Sequence, residues 1–155
     1  MLRVVRLLAL GSIVAAAPAM WAQHTHFPNS EWKLDAAASD FGEGPKMQSD
    51  VFMIHTDTEK ELTYDDDTVD GDGKTWKTSW AGPQDGTMKP IKGMEGAKAG
   101  FKTEDDSSRF EMSDGSWSES TMKVSDDKKT VTIHVNGKTK DGKDYTQTLV
   151  YNRVK

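Results

Sequence analysis

The chain contains no cysteine. That absence excludes disulfide bridges, thiolate metal centres and cysteine nucleophiles together, so the fold has to rest on an apolar core. Long apolar runs are also missing: after Ala22 no stretch stays apolar for even ten residues, whereas a bilayer-spanning helix needs roughly 20. There is no Gly-x-Ser-x-Gly nucleophile elbow, and no pair of acidic residues is set apart for acid and base roles, so a non-enzyme is expected. A basic excess is lacking as well. Removing Arg3 and Arg6 of the amino-terminal segment from the 20 basic residues leaves 18 against 25 acidic ones, a net charge of −7. That balance excludes nucleic acid and an anionic membrane surface as natural partners, because both require Lys and Arg to neutralise phosphate.

Residues 1–22 have a basic start and an apolar run of 11 residues from Leu7 to Ala17. Small residues follow, the pattern of a cleaved secretory signal and too short for an anchor. Cleavage after Ala19 satisfies the small-x-small rule, while cleavage after Ala22 leaves a polar start. The expected organisation is a signal peptide at 1–22, a flexible leader at 23–30 and a single domain at 31–155, placed in the periplasm or outside the cell.

The domain is punctuated by turn signals. Asp114-Gly115 and Asp141-Gly142 each separate two alternating runs, and Ser125-Asp126-Asp127-Lys128 separates two more. Asp-Gly at a hairpin suggests a type I′ turn, which needs positive φ at both central residues. Runs at 31–35, 49–56, 62–70, 74–80, 109–112, 116–124, 130–138 and 144–154 read as strands. Short strands are also expected near 87–92 and 99–103, and 36–40 reads as one helical turn. The segment 83–100, broken by four glycines, fits no single period. The Asp-Gly-Lys-x-aromatic echo between 70–76 and 141–145 is explained by two hairpins solving one turn problem. Eight to ten sequential antiparallel strands define an up-and-down, lipocalin-like barrel in preference to a sandwich.

Trp32-Lys33-Leu34-Asp35, Ser39-x-Phe41, Gly44-Pro45, the run Asp126-Asp127-Lys128-Lys129-Thr130-Val131-Thr132-Ile133, the turn 138–143 and the ending Val150-Tyr151-Asn152-Arg153 carry a resemblance. Together they resemble a group of small secreted bacterial proteins with a lipocalin-like β-barrel. The matched positions are turns and core, so the likeness implies an exported barrel that takes a small apolar molecule. It carries over no catalytic residue.

Candidate chemistry is thin. The acidic run Asp65-Asp66-Asp67-Thr68-Val69-Asp70-Gly71-Asp72-Gly73 fails the EF-hand frame, since position twelve falls on Lys77 or Ser79. A solvated hairpin tip is the plainer expectation, with weak surface calcium binding as its rival. His24 and His26 lie in the leader at the wrong spacing for an amino-terminal copper site. His55 and His134 have no ligand at suitable spacing, so no metal and no cofactor is expected. Six scattered methionines suit gap-filling in a core. Trp76 and Trp80 lie four apart on one strand and hence on one face. With Tyr64 and Trp117 they are the expected lining of a ligand site. The function expected is a non-catalytic module binding a small apolar ligand. The alternative is an envelope domain with a filled barrel that meets a protein or glycan through its surface strands or through 83–100.

Overall fold

The computed structural model describes residues 24–155; the signal segment and its cleavage point lie outside the described residues. Ten strands follow one another: β1 (Ser30–Leu34), β2 (Met47–Asp57), β3 (Glu61–Asp70), β4 (Thr75–Pro83), β5 (Lys89–Pro90), β6 (Lys98–Lys102), β7 (Ser107–Glu111), β8 (Trp117–Val124), β9 (Thr130–Lys138) and β10 (Asp144–Arg153). Every paired neighbour is antiparallel, in the order β4-β3-β2-β1-β10-β9-β8-β7-β6-β5. Because β1 pairs with β10, at Trp32 with Arg153 and Leu34 with Tyr151, the sequential meander becomes a ring. Its seam lies between β4 and β5–β6. There Ser79 and Lys92 exchange backbone hydrogen bonds at 3.0 and 2.9 Å, and the Gly86 N–H reaches the Phe101 carbonyl at 2.8 Å.

The result is a nearly closed up-and-down barrel with no α-helix among the described residues. The expected helical turn at 36–40 is instead a turn in which Asp35 Oδ1 accepts from Ala38 N–H at 3.0 Å. The short strands expected in the glycine-broken region form as β5 and β6.

The hairpin tips use a different turn from the one that Asp-Gly suggests. Gly115 and Gly142 have φ of +85° and +78°, but the aspartates before them keep negative φ. Gly115 N–H bonds Met112 C=O at 3.1 Å while Met112 N–H bonds Ser116 C=O at 2.9 Å. Gly142 repeats this with Thr139 and Lys143, both at 2.9 Å, and Gly73 with Asp70 and Lys74, both at 3.0 Å. These are three-residue loops, a type I turn followed by a left-handed glycine bulge. The sequence echo between 70–76 and 141–145 therefore marks one turn solution used twice.

Register assigns the faces. Directly opposed residues share a face, so the pairs Tyr64–Trp80, Asp66–Thr78, Thr68–Trp76 and Asp50–Thr68 belong to one side of the sheet. Buried Trp32, Leu34, Val131, Val135, Leu149 and Tyr151 build one core cluster, with Phe27 beneath it. Leu62, Trp80, Ile91, Ala97 and Ala99 build a second, and Ile54 packs against both. Met47, Met94, Met112 and Met122 fill gaps at the cluster edges, as thioethers do.

Trp32 is 1% exposed. Trp32→Ala should cost about 3–5 kcal/mol, measured by urea denaturation. Gly142→Ala has open space for its Cβ but the wrong φ, and should cost about 1–2 kcal/mol, with Gly142→Asn costing less. Equal stability of the alanine and glycine proteins would refute the left-handed turn.

Candidate functional site

The site is built on the inward face of β2 and β3. Along β3 the alternation Leu62-x-Tyr64-x-Asp66-x-Thr68 puts two apolar-bodied and two polar side chains on one face. On β2, Asp50 shares that face with Phe52 and Ile54. Asp50 is 5% exposed. Thr68 Oγ1 donates to its Oδ1 at 2.6 Å, and the Tyr151 hydroxyl donates to its Oδ2 at 2.6 Å.

Asp66 lies against Asp50. Its Oδ1 is buried and receives no hydrogen bond from any described residue. Burial above all, then the charge of Asp50 and a hydrogen bond to it, pushes the Asp66 carboxyl up to about 9. Two carboxyls in contact inside a barrel cannot both ionise, so they share a proton, carried at neutral pH by Asp66. Tyr64 and Tyr151 hold their protons tightly as well. Both are raised by burial first and by the Asp50 and Asp66 charges second.

More polar groups line the same interior. Ser108 and Ser120 face each other across β7 and β8 with their hydroxyls 2.7 Å apart. Gln147 Nε2 donates to the Pro45 carbonyl at 2.7 Å. Near the β7–β8 and β9–β10 hairpin tips, a cleft of about 240 Å³ is lined by Pro45, Met112, Trp117, Ser118, Tyr145, Lys138 and Lys140.

The expected lining residues divide. Tyr64 and Trp80 are brought together, with stacked rings 6.3 Å apart, and Phe101 and Phe110 extend the cluster. Trp80 does a second job, since its indole N–H reaches the carbonyls of Ala99 at 3.1 Å and Lys89 at 3.3 Å. It therefore laces the seam from inside. Trp76 shares their face but sits at the β3–β4 tip, with its N–H 3.1 Å from Asp70 and the Lys74 ammonium 3.7 Å over its ring. Trp117 lies on the opposite face of the sheet from Ser118, under the Arg109 guanidinium at 4.9 Å, and lines the cleft at the barrel end.

The end of the acidic run, Asp70 to Gly73, forms the exposed β3–β4 tip as expected, but Asp65, Asp66 and Asp67 lie within β3. Asp65 and Asp67 face outward to His55 and Lys77, both at 2.9 Å, while Asp66 turns in. The signal that would have found it is the alternation itself, with Asp66 two residues from Tyr64 and from Thr68. Asp50 is likewise two residues before Phe52. His134 is exposed and meets Thr148 at 3.3 Å.

The 23–30 stretch expected as a leader is, over residues 24–30, tied to the barrel. Phe27 is buried edge-on to Trp32 at 5.0 Å, and Ser30 opens β1. Ser30 Oγ donates to the Phe27 carbonyl at 2.6 Å and accepts the Trp32 indole N–H at 2.9 Å. No family model matches the chain, and no curated protein matches its sequence. No helix of the described residues is long and apolar enough to cross a membrane.

Because Asp66 keeps when folded a proton that it releases when unfolded, its stabilising contribution is full below the ordinary carboxyl range. It drains away as pH rises to about 9. Asp66→Asn should flatten that slope and raise stability near pH 8 by about 1–3 kcal/mol, read from urea melts at pH 5 and pH 8. Identical slopes would refute the shared proton. Tyr151→Phe strips Asp50 of one donor and should cost about 1–3 kcal/mol, measured the same way.

Proposed function

We propose that the chain is an exported, non-catalytic barrel that holds one small, largely apolar molecule by a basic or hydrogen-bond-donating end. The observation that carries this is the Asp50–Asp66 pair. A buried carboxyl oxygen without a donor is costly, and natural sequences keep such costs where function needs them. A protonated amine entering beside Asp66 would take the place of the shared proton and satisfy that oxygen. The Tyr64, Trp80, Phe101 and Phe110 rings offer an apolar wall, and their faces attract a cation. Ser118, which lines the 240 Å³ cleft, is followed inward on β8 by Ser120, so a polar track leads from the barrel end towards the interior.

Export rests on the signal pattern of residues 1–22, and the resemblance to small secreted lipocalin-like proteins agrees with it. Proton-sharing aspartates also serve acid–base catalysis. What favours binding is that Asp50 already accepts from Thr68 and Tyr151, which holds its carboxylate in place as a fixed acceptor beside Asp66. A second use of the surface, against a partner protein, is favoured by an open groove of about 580 Å³. It runs along residues 90–98, with Ile91, Met94 and Ala97 in its lining.

The test is native mass spectrometry of protein purified from its own host, followed by tryptophan-fluorescence titration with 2-phenylethylamine and with neutral 2-phenylethanol. A discrete adduct, or preference for the amine that Asp66→Asn removes, is expected. An apo mass together with equal response to both compounds would overturn the ligand reading and direct attention to the 90–98 groove.

A further inference from the structure

The end of the barrel opposite the hairpin tips carries a second cluster, separate from the Asp50–Asp66 pair. It begins with a bulge. Between Ile54, paired with Tyr64, and Thr56, paired with Thr63, β2 has one residue more than β3. The extra residue is His55. A bulge shifts the alternation by one, so Asp57 lands on the inward face opposite buried Leu62 and is itself 6% exposed. Its carboxylate is held on both sides: Phe27 N–H donates to Oδ2 at 2.8 Å and Gln84 Nε2 to Oδ1 at 2.9 Å.

Two imidazoles converge on that carboxylate. In the strap formed by residues 24–29, which leads into β1, the His24 and His26 rings meet edge to face at 4.8 Å. His26 Nδ1 is 3.1 Å from Asp57 Oδ1. One ligand atom from each of His24, His26 and Asp57 falls within 4.8 Å of the others. His24 Nδ1 is paired with Asp106, whose backbone is held in the left-handed region at φ +51°. A carboxylate on one imidazole nitrogen is what orients the ring of a metal-bound histidine, leaving the other nitrogen for the ion.

We propose that His24, His26 and Asp57 form a site for one late first-row divalent ion, Zn²⁺ in the first instance. Imidazole and carboxylate are the donors such ions take at about 2.0–2.2 Å. At those bond lengths two adjacent ligands lie roughly 3–3.5 Å apart, which is the separation His26 and Asp57 already have. Three protein ligands leave a fourth position, and His26, with 27% of its side chain exposed, leaves room for water there. Gln84 and Asp106 complete the outer support. A strap pinned only by hydrogen bonds would need one histidine on Asp57. The second imidazole, packed on the first and braced by its own carboxylate, is the feature that a cation accounts for.

The placement gives the ion a role. β2 and β7 stand at opposite points of the ten-strand ring, and the strap reaches Asp57 at the end of one and Asp106 just before the other. An ion at His24, His26 and Asp57 therefore fastens the strap to the floor of the barrel.

The experiment titrates Zn²⁺ into chelator-treated, untagged protein by calorimetry and repeats the thermal melt with and without Zn²⁺. Saturable binding of one ion per chain is expected, with a rise in Tm by mass action. His24→Ala and His26→Ala should each weaken binding at least about tenfold, the loss that even an outer-shell partner causes. His55→Ala and His134→Ala, on the outer face, should bind as the parent does. Circular dichroism of each variant shows that it is folded. Absence of saturable binding, or binding that survives in either folded His24→Ala or His26→Ala protein, overturns the site.

Discussion

The structure depends on the pairing of its first strand with its last. β1 is short, yet it carries hydrogen bonds to both β2 and β10, and without it the meander would be an open sheet with two long edges. Its inward residues make that position worth holding. Trp32 and Leu34 belong to the larger core cluster with Val131, Leu149 and Tyr151, so apolar burial and ring closure reinforce each other. Phe27, beneath Trp32, extends the same contact into the strap. The seam on the far side is weaker, and Trp80 compensates by donating across it.

A barrel of this size could fill itself with apolar side chains. This one sets a polar layer between its two clusters. Asp50, Asp66, Thr68 and Tyr151 form a buried network in which burial and the neighbouring carboxyls make Asp66 and Tyr151 hold their protons. Such networks specify a single arrangement when satisfied and cost stability when they are not. Asp66 is the unsatisfied member. Within this network the energetic tension thus falls on one inward oxygen.

Much of this is legible in the chain. The alternating runs mark eight strands closely, because half-buried antiparallel strands repeat every two residues and turn residues bound them. The turn type is not, since Asp-Gly also fits a type I turn ending on a left-handed glycine, and only the partner strand's register distinguishes the two. Asp66 is hidden by its neighbours: three consecutive aspartates look like solvent chemistry, and only the face assignment separates the middle one. Asp57 is hidden by the bulge at His55, which no local period announces. His24 and His26 are near Asp57 only through folding, with some thirty residues between them.

Pairing the first described strand with the last also decides how the molecule bears load. The Glu31 N–H bonds the Lys155 carbonyl at 3.2 Å, and the Val154 N–H bonds the Glu31 carbonyl at 2.8 Å. Tension applied at Glu31 and Val154 therefore acts across the β1–β10 ladder, at right angles to the strands and beginning at one end. The bonds break in succession, as in a zipper, instead of sharing the load in shear.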